Sequence, residues 1–369
     1  MDRHDGMVAR LSHFIHARFL WLMLATYAIA AYFPALGLWI RDVSFGSIRL
    51  FGTTTKVSLS MLMLSALLLN AGLGVRLSQL GGLIRNPKPL GAGLLANLLI
   101  PIMFIGVVTL IMEGWHNPDE TQNILVGLAL VASMPIAGSS TAWSQNAEGE
   151  LSLSLGLVLG STLLSPITTP LALHAVGLMT TGDYSSDLHE LAAGGTEGFL
   201  AICVLTPSLM GIGLRKCLGE TRTAAVKPRL KLVNLAILLV LNYSNASVSL
   251  PQAIAKPDLD FLAVTLVIVV GLCACAFTSG WGISRALNVT PSQRTALMFG
   301  LGMNNNGTGL VLASMALADH PSVMLPIIFY NLSQHLIAGV VDRLICRPSP
   351  PGAAPDPVPR LQLAPRASA

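Results

Sequence analysis

Charge is the scarcest thing in this sequence. Of 369 residues only 11% are Asp, Glu, Lys or Arg, while 53% are hydrophobic, and the mean hydropathy is +0.66. A soluble domain carries about a quarter charged residues, so the composition excludes an ordinary soluble fold and points to an integral membrane protein. The lipid bilayer is the expected partner, and nucleic acid is not. Aromatics are also sparse, at 6%. The five cysteines, Cys203, Cys217, Cys273, Cys275 and Cys346, are scattered. Cys273 and Cys275 would point roughly 200° apart on a helix, which argues against a shared ligand. Also missing are a phosphate-binding glycine loop, a catalytic dyad with a credible partner, and any Asp, Glu, Lys or Arg at mid-depth of an apolar segment. Those gaps argue against an ATPase and an enzyme. They equally argue against an antiporter built on a titratable carboxylate.

What is abundant is apolar sequence broken by glycine (34 residues) and proline (22 residues), a composition suited to closely packed membrane helices. Ten apolar segments can be drawn, at about 18–40, 57–75, 89–112, 122–144, 151–178, 195–214, 230–248, 259–284, 294–318 and 323–342. Each approaches the ~20 residues that cross hydrocarbon. The first follows a basic N-terminus but is too long for the apolar part of a signal peptide, so a retained span is expected. With ten spans, most of the 22 Lys and Arg fall on one side, with the two termini. Only Arg41, Arg49, Lys56 and Lys256 fall on the other. The positive-inside rule then places both termini in the cytoplasm, in a multi-pass protein of the cell inner (cytoplasmic) membrane. Residues 1–346 form the transmembrane domain, and the Pro-rich tail 347–369 is expected to be disordered.

Two places break the apolar pattern in matching positions. One is 135-PIAGSSTAWSQN-146, followed by a segment with a Ser/Thr stripe through Ser154, Ser161, Ser165, Thr168 and Thr169. The other is 300-GLGMNNNGTGL-310, followed by a segment carrying Asn331, Ser333, Gln334 and His335. Each pair ends a block of five spans, about 18–178 and 195–345. An odd number of spans gives the blocks opposite orientation, so the expected fold is all-α, with ten transmembrane helices as two inverted five-helix repeats. Segments 4 and 9 are expected to be unwound and to cross in a core domain. Unpaired amides in hydrocarbon cost roughly 2–7 kcal/mol each, so Asn304, Asn305 and Asn306 call for a broken backbone with a ligand. Half-helix N-termini suit an anion and unwound carbonyls a small cation. His174 and His335 read as neutral packing residues or proton carriers.

These segments resemble the bile acid:sodium symporter family, over about residues 20–345. The likeness is densest in 135–170 and 300–310, and extends to LLNAGLGVRLSQL, NPKPLGAGLLANLLIP and FYNLSQHLIAG. It implies a panel domain (helices 1, 2, 6, 7), a core domain (3, 4, 5, 8, 9, 10), and entry of an organic anion coupled to two sodium ions. By the resemblance, Ser140, Thr141 and Ser154, the carbonyls of Leu301 and Met303, and the amides of Asn304 and Asn97 fall at cation-site positions. Gly138, Ser139, Asn305 and Asn331 fall at the substrate site. Gly300 stands where the family's shared glutamate would be, and Val158 where a threonine ligand would be. The expected function is secondary transport of an organic anion by alternating access, with sodium as coupling ion and no other cofactor. Two alternatives stay open: a sodium-independent or proton-coupled carrier, and a transport-dead membrane sensor that binds a ligand.

Overall fold

The computed structural model describes residues 19–50, 53–75, 87–317 and 319–345; the 347–369 tail lies outside them. In chain order the elements are α1 (Phe19–Tyr32), α2 (Ala35–Asp42), β1 (Ser44–Leu50), β2 (Thr53–Ser58), α3 (Leu59–Gly74), α4 (Lys88–Met112), α5 (Pro118–Ser133), α6 (Ser139–Asn146), α7 (Leu151–Gly177) and α8 (Gly182–Glu190). A run of π and α turns over 191–205 leads into α9 (Thr206–Ala255). There follow α10 (Leu259–Ala286), α11 (Pro291–Gly302), α12 (Asn306–Ala316), a 3-10 turn at Pro321–Val323 and α13 (Met324–Ile345). The protein is an all-α membrane protein. Among the described residues six helical stretches are long and apolar enough to cross a membrane, or seven if α1 and α2 count as one.

The other expected spans are short or interrupted, each for a local reason. The 18–40 segment bends by 93° between α1 and α2, where Pro34 removes a backbone donor and forces the turn. The 122–144 and 294–318 segments are interrupted, as α5/α6 and α11/α12. The basic stretch expected as a loop around 215–231 is instead helical within α9, kinked at Gly219 with φ +76°. Residues 44–50 and 53–58, which lie between the expected spans, pair as two antiparallel strands. Its β-branched Thr53, Thr54, Thr55 and Val57 favour a strand, and the bulge falls beside Gly46, whose φ of +106° suits glycine. Beyond α7, the rings of His174 and His189 meet edge-on at 4.7 Å. On α8, Asp187 pairs with His320 at 3.6 Å; burial pushes its carboxyl up and His320 opposes that.

Small residues set how closely the helices approach. Gly72 on α3 and Gly211 on α9 interlock: a β-carbon at Gly211 would lie 2.0 Å from the Leu69 carbonyl oxygen, and one at Gly72 would lie 2.1 Å from that of Ser208. Because those neighbours are backbone, neither helix can yield by a rotamer change. Gly211→Ala is therefore expected to destabilise the protein by about 1–3 kcal/mol or more, read as a lower melting temperature in detergent. A glycine open to solvent, such as Gly114, is the control and is expected to tolerate alanine.

Candidate functional site at two crossed helix breaks

Two helix ends and two helix starts meet at one point. Helix α5 stops at Ser133, with Met134 already extended, and the chain passes through Pro135–Gly138 before α6 begins. Helix α11 stops at Gly302, Met303 is extended, and Asn305 caps α12 by accepting from the Thr308 N–H. The two breaks pair as a one-rung antiparallel bridge between Ile136 and Asn304. Ala137 N–H donates to the Met303 carbonyl and Asn305 N–H to the Pro135 carbonyl, both at 2.9 Å.

Backbone groups at membrane depth must be satisfied by protein, and neighbouring side chains meet several of them. Ile136 N–H donates to Ser161 Oγ at 3.0 Å, and Thr169 Oγ1 donates to the Ser133 carbonyl at 2.5 Å. Asn304 N–H donates to Gln334 Oε1 at 3.0 Å, while its side-chain Nδ2 donates to the Val131 carbonyl at 2.9 Å. The Ser/Thr stripe on α7 is thus partly a brace: Ser161 and Thr169 hold the first break, whereas Ser165 and Thr168 bond back to their own helix.

A cavity of about 730 Å³ opens against the crossing. Ser139 at the start of α6 and Asn304, Asn305, Asn306 and Gly307 at the start of α12 form its polar end. Its body is lined by Leu20, Leu235, Leu238, Leu336 and Val340, and by Trp143, which stacks on Phe299 with ring centroids 6.1 Å apart. His335 and Arg343, two turns apart on α13, are the ionisable side chains among its described lining residues; no carboxylate is among them. Two helix N-termini and a cation therefore bias this cavity toward a negatively charged guest.

The expected site residues divide into three groups. Ser139, Asn304, Asn305 and Asn331 line this one cavity, with Gly138 exposed beside it as the N-cap of α6. Asn331 is already engaged: its Nδ2 donates to Tyr27 Oη at 2.9 Å and lies 3.5 Å from Asn242 Oδ1, and its Oδ1 accepts from Gln334. The hydroxyls of Ser140, Thr141 and Ser154 gather around α6. Ser154 donates to Thr141 at 3.2 Å, and among the described residues the buried Oγ atoms of Ser140 and Ser144 have no hydrogen-bond partner. Buried Asn304 Oδ1 is likewise unpartnered. Leu301 is buried, and the Met303 carbonyl already accepts from Ala137.

Asn97 stands elsewhere, in a cavity of about 20 Å³ with Ser133, Pro135, Ser161 and Thr168, sized for a single water. At Gly300 the surroundings are apolar. A β-carbon there would lie 2.8 Å from Leu157 Cδ1, and Leu157 packs with Ile136, Leu153, Ala296 and Leu297, with Val158 at the edge.

Asn242 and Tyr27 complete the site without having been singled out from sequence, whereas Gln334 was legible among the polar residues beside Asn331. A polar pair at i, i+3 on α13 (Asn331, Gln334) marks one helix face. Asn242 opens the polar end of its span, 242-NYSNAS-247, whose spacing alone does not say which residue faces the site.

Residues 61–256, more than half the chain, match the profile described as the sodium bile acid symporter family. The chain belongs to that family. Two Bacillus subtilis (strain 168) proteins are similar over most of their length. YbaS is 25% identical over 266 residues, covering 72% of this chain and 81% of its own. YocS, described as a sodium-dependent transporter, is 24% identical over 338 residues, covering 90% and 93%. This member of the sodium bile acid symporter family is a multi-pass membrane transporter and not an enzyme.

Proposed function

We propose that the protein is a secondary transporter that moves an organic anion by alternating access, with the crossed breaks as its binding site. The observation that carries this reading is the cavity itself. Two helix N-termini and the amides of Asn304, Asn305 and Asn306 form one end, and apolar walls with Arg343 at the rim form the rest. Such a lining suits a carboxylate with an apolar body, bile-acid-like or smaller. The ten spans would form two inverted five-helix repeats, about 18–178 and 195–345, in the inner membrane with both termini cytoplasmic. The pairing of α5/α6 with α11/α12 fits that symmetry.

Sodium is the proposed coupling ion, carried as cargo on neutral oxygens. The unpartnered Ser140, Ser144 and Asn304 oxygens, with Thr141 and Ser154, are of the right type for a hard cation. The similarity to a protein described as a sodium-dependent transporter leans the same way. One observation favours a second reading, sodium-independent carriage: Leu157 fills the space beside Gly300 where a charged ligand would stand. Uptake into vesicles at fixed pH, with sodium replaced by choline, decides between them. The first reading expects uptake to collapse; unchanged uptake would leave the second.

A further inference from the structure

The polar lining continues past the cavity, along two helices that run together away from it. On α9, Asn242, Asn245 and Ser249 recur at three- and four-residue spacing and so share a face. Asn242 lies against Asn331, which turns that face toward the site. On α12, Asn306 and Thr308 follow the crossing, and the two helices meet where a β-carbon at Gly307 would touch Leu241 Cδ2 at 3.8 Å. All five polar side chains are at most 2% exposed. Among the described residues neither amide atom of Asn245 or Asn306 has a hydrogen-bond partner, nor do Asn242 Nδ2, Ser249 Oγ and Thr308 Oγ1. By contrast Ser244 and Ser247, on the same stretch of α9, bond to carbonyls of their own helix. Leaving buried amides unpaired is costly, so this row points to a second state in which water or cargo meets them.

Helix α2 lies across the far end of the row. Its Gly37 sits against Ser247, where a β-carbon would come within 2.1 Å of Oγ. Tyr243 Oη donates to the Phe33 carbonyl at the α1–α2 bend. The Arg41 guanidinium donates to the Ser314 carbonyl, in the last turn of α12, the end of a helix that favours a cation. Arg41 and Arg343 thus mark opposite ends of the α12–α13 hairpin.

We propose that Asn242, Asn245 and Ser249 with Asn306 and Thr308 line the closed half of the translocation path, and that α2, latched by Arg41, is the gate across it. The proposal rests on the transport reading and deepens it. It assigns an amide-lined route suited to a hydrogen-bonding anion, and a cation freed at the mouth when the latch releases Ser314.

Single cysteines at Ser249 and at Ser139 test it in vesicles of either orientation. Each is probed with a membrane-impermeant maleimide, and the parent chain's reactivity is subtracted. Ser139→Cys is expected to react from the Arg343 face and Ser249→Cys to react slowly from both. Adding Arg41→Ala or Tyr243→Phe is expected to speed the Ser249→Cys reaction several-fold from the Arg41 face, with Arg41→Lys giving a smaller change. The conservative Tyr243→Phe keeps the test alive if Arg41→Ala fails to fold. If Ser139→Cys reacts but neither background alters Ser249→Cys, the gate is overturned and the transport reading stands. If Ser139→Cys is inert from both faces, the cavity reading falls and takes the gate with it.

Discussion

Gln334→Ala is expected to abolish most transport while leaving a folded protein. Gln334 bonds the second break and the Asn331 cluster together: Oε1 accepts from Asn304 N–H and Nε2 donates to Asn331 Oδ1. Truncation strands a buried N–H and a buried amide oxygen, at about 1–3 kcal/mol each. If both losses fall on the bound state, affinity should drop by roughly thirtyfold to ten-thousandfold or more, since 1.4 kcal/mol is tenfold. Gln334→Glu separates the two bonds. A carboxylate still accepts from Asn304 but cannot donate to Asn331, and it brings a negative charge to an anion site. Its uptake should be no better than that of the alanine variant. Uptake by Gln334→Glu equal to the parent's would show that neither the donor nor the site's charge matters.

Gly300→Glu is expected to have an effect of similar size on stability. The new side chain would start 2.8 Å from Leu157 Cδ1, inside the Ile136, Leu153, Leu157 and Leu297 cluster. An uncompensated buried charge costs about 3–5 kcal/mol, which should appear as a large fall in melting temperature in sodium-free buffer. The double variant Gly300→Glu with Leu157→Ala gives the carboxylate room. If neutral oxygens already hold sodium in the parent, sodium should raise the melting temperature of both proteins. A rise confined to the double variant would mean that the parent's neutral set is too weak to hold the ion.

The breaks were legible in the sequence because membrane depth leaves few explanations for PIAGSSTAWSQN and GMNNNGTG. Gly, Pro and clustered amides there require backbone that leaves the helix, and matching positions in two halves suggested a crossing. Local chemistry was enough for that. What could not be read were facts about third parties to each contact. That Asn97 faces Ser161 and Thr168 depends on how α4 leans on α7, which no spacing reports. Nothing in the sequence marks Leu157 as the residue that occupies the space beside Gly300. The 93° bend is visible in hindsight at Pro34, but a proline near a span's middle can also sit in a kinked, continuous helix. The buried face of α9 is not marked as part of the site, because in 242-NYSNASVS-249 the spacing alone does not separate Asn242, Asn245 and Ser249 from Ser244 and Ser247, which bond to their own helix. Only its packing against α12 and α13 gives those amides meaning.

If the crossed breaks hold an organic anion, Asn305 is the most direct probe of it. It caps α12, lines the cavity, and has its own N–H tied to the other break. A thermal-stabilisation screen of the purified protein across organic acids, with and without sodium, should find at least one acid that raises the melting temperature. For that acid, binding to Asn305→Ala should be about tenfold weaker or worse, the loss of roughly one charge-assisted hydrogen bond. Unaltered affinity in a folded Asn305→Ala protein would place the anion somewhere else.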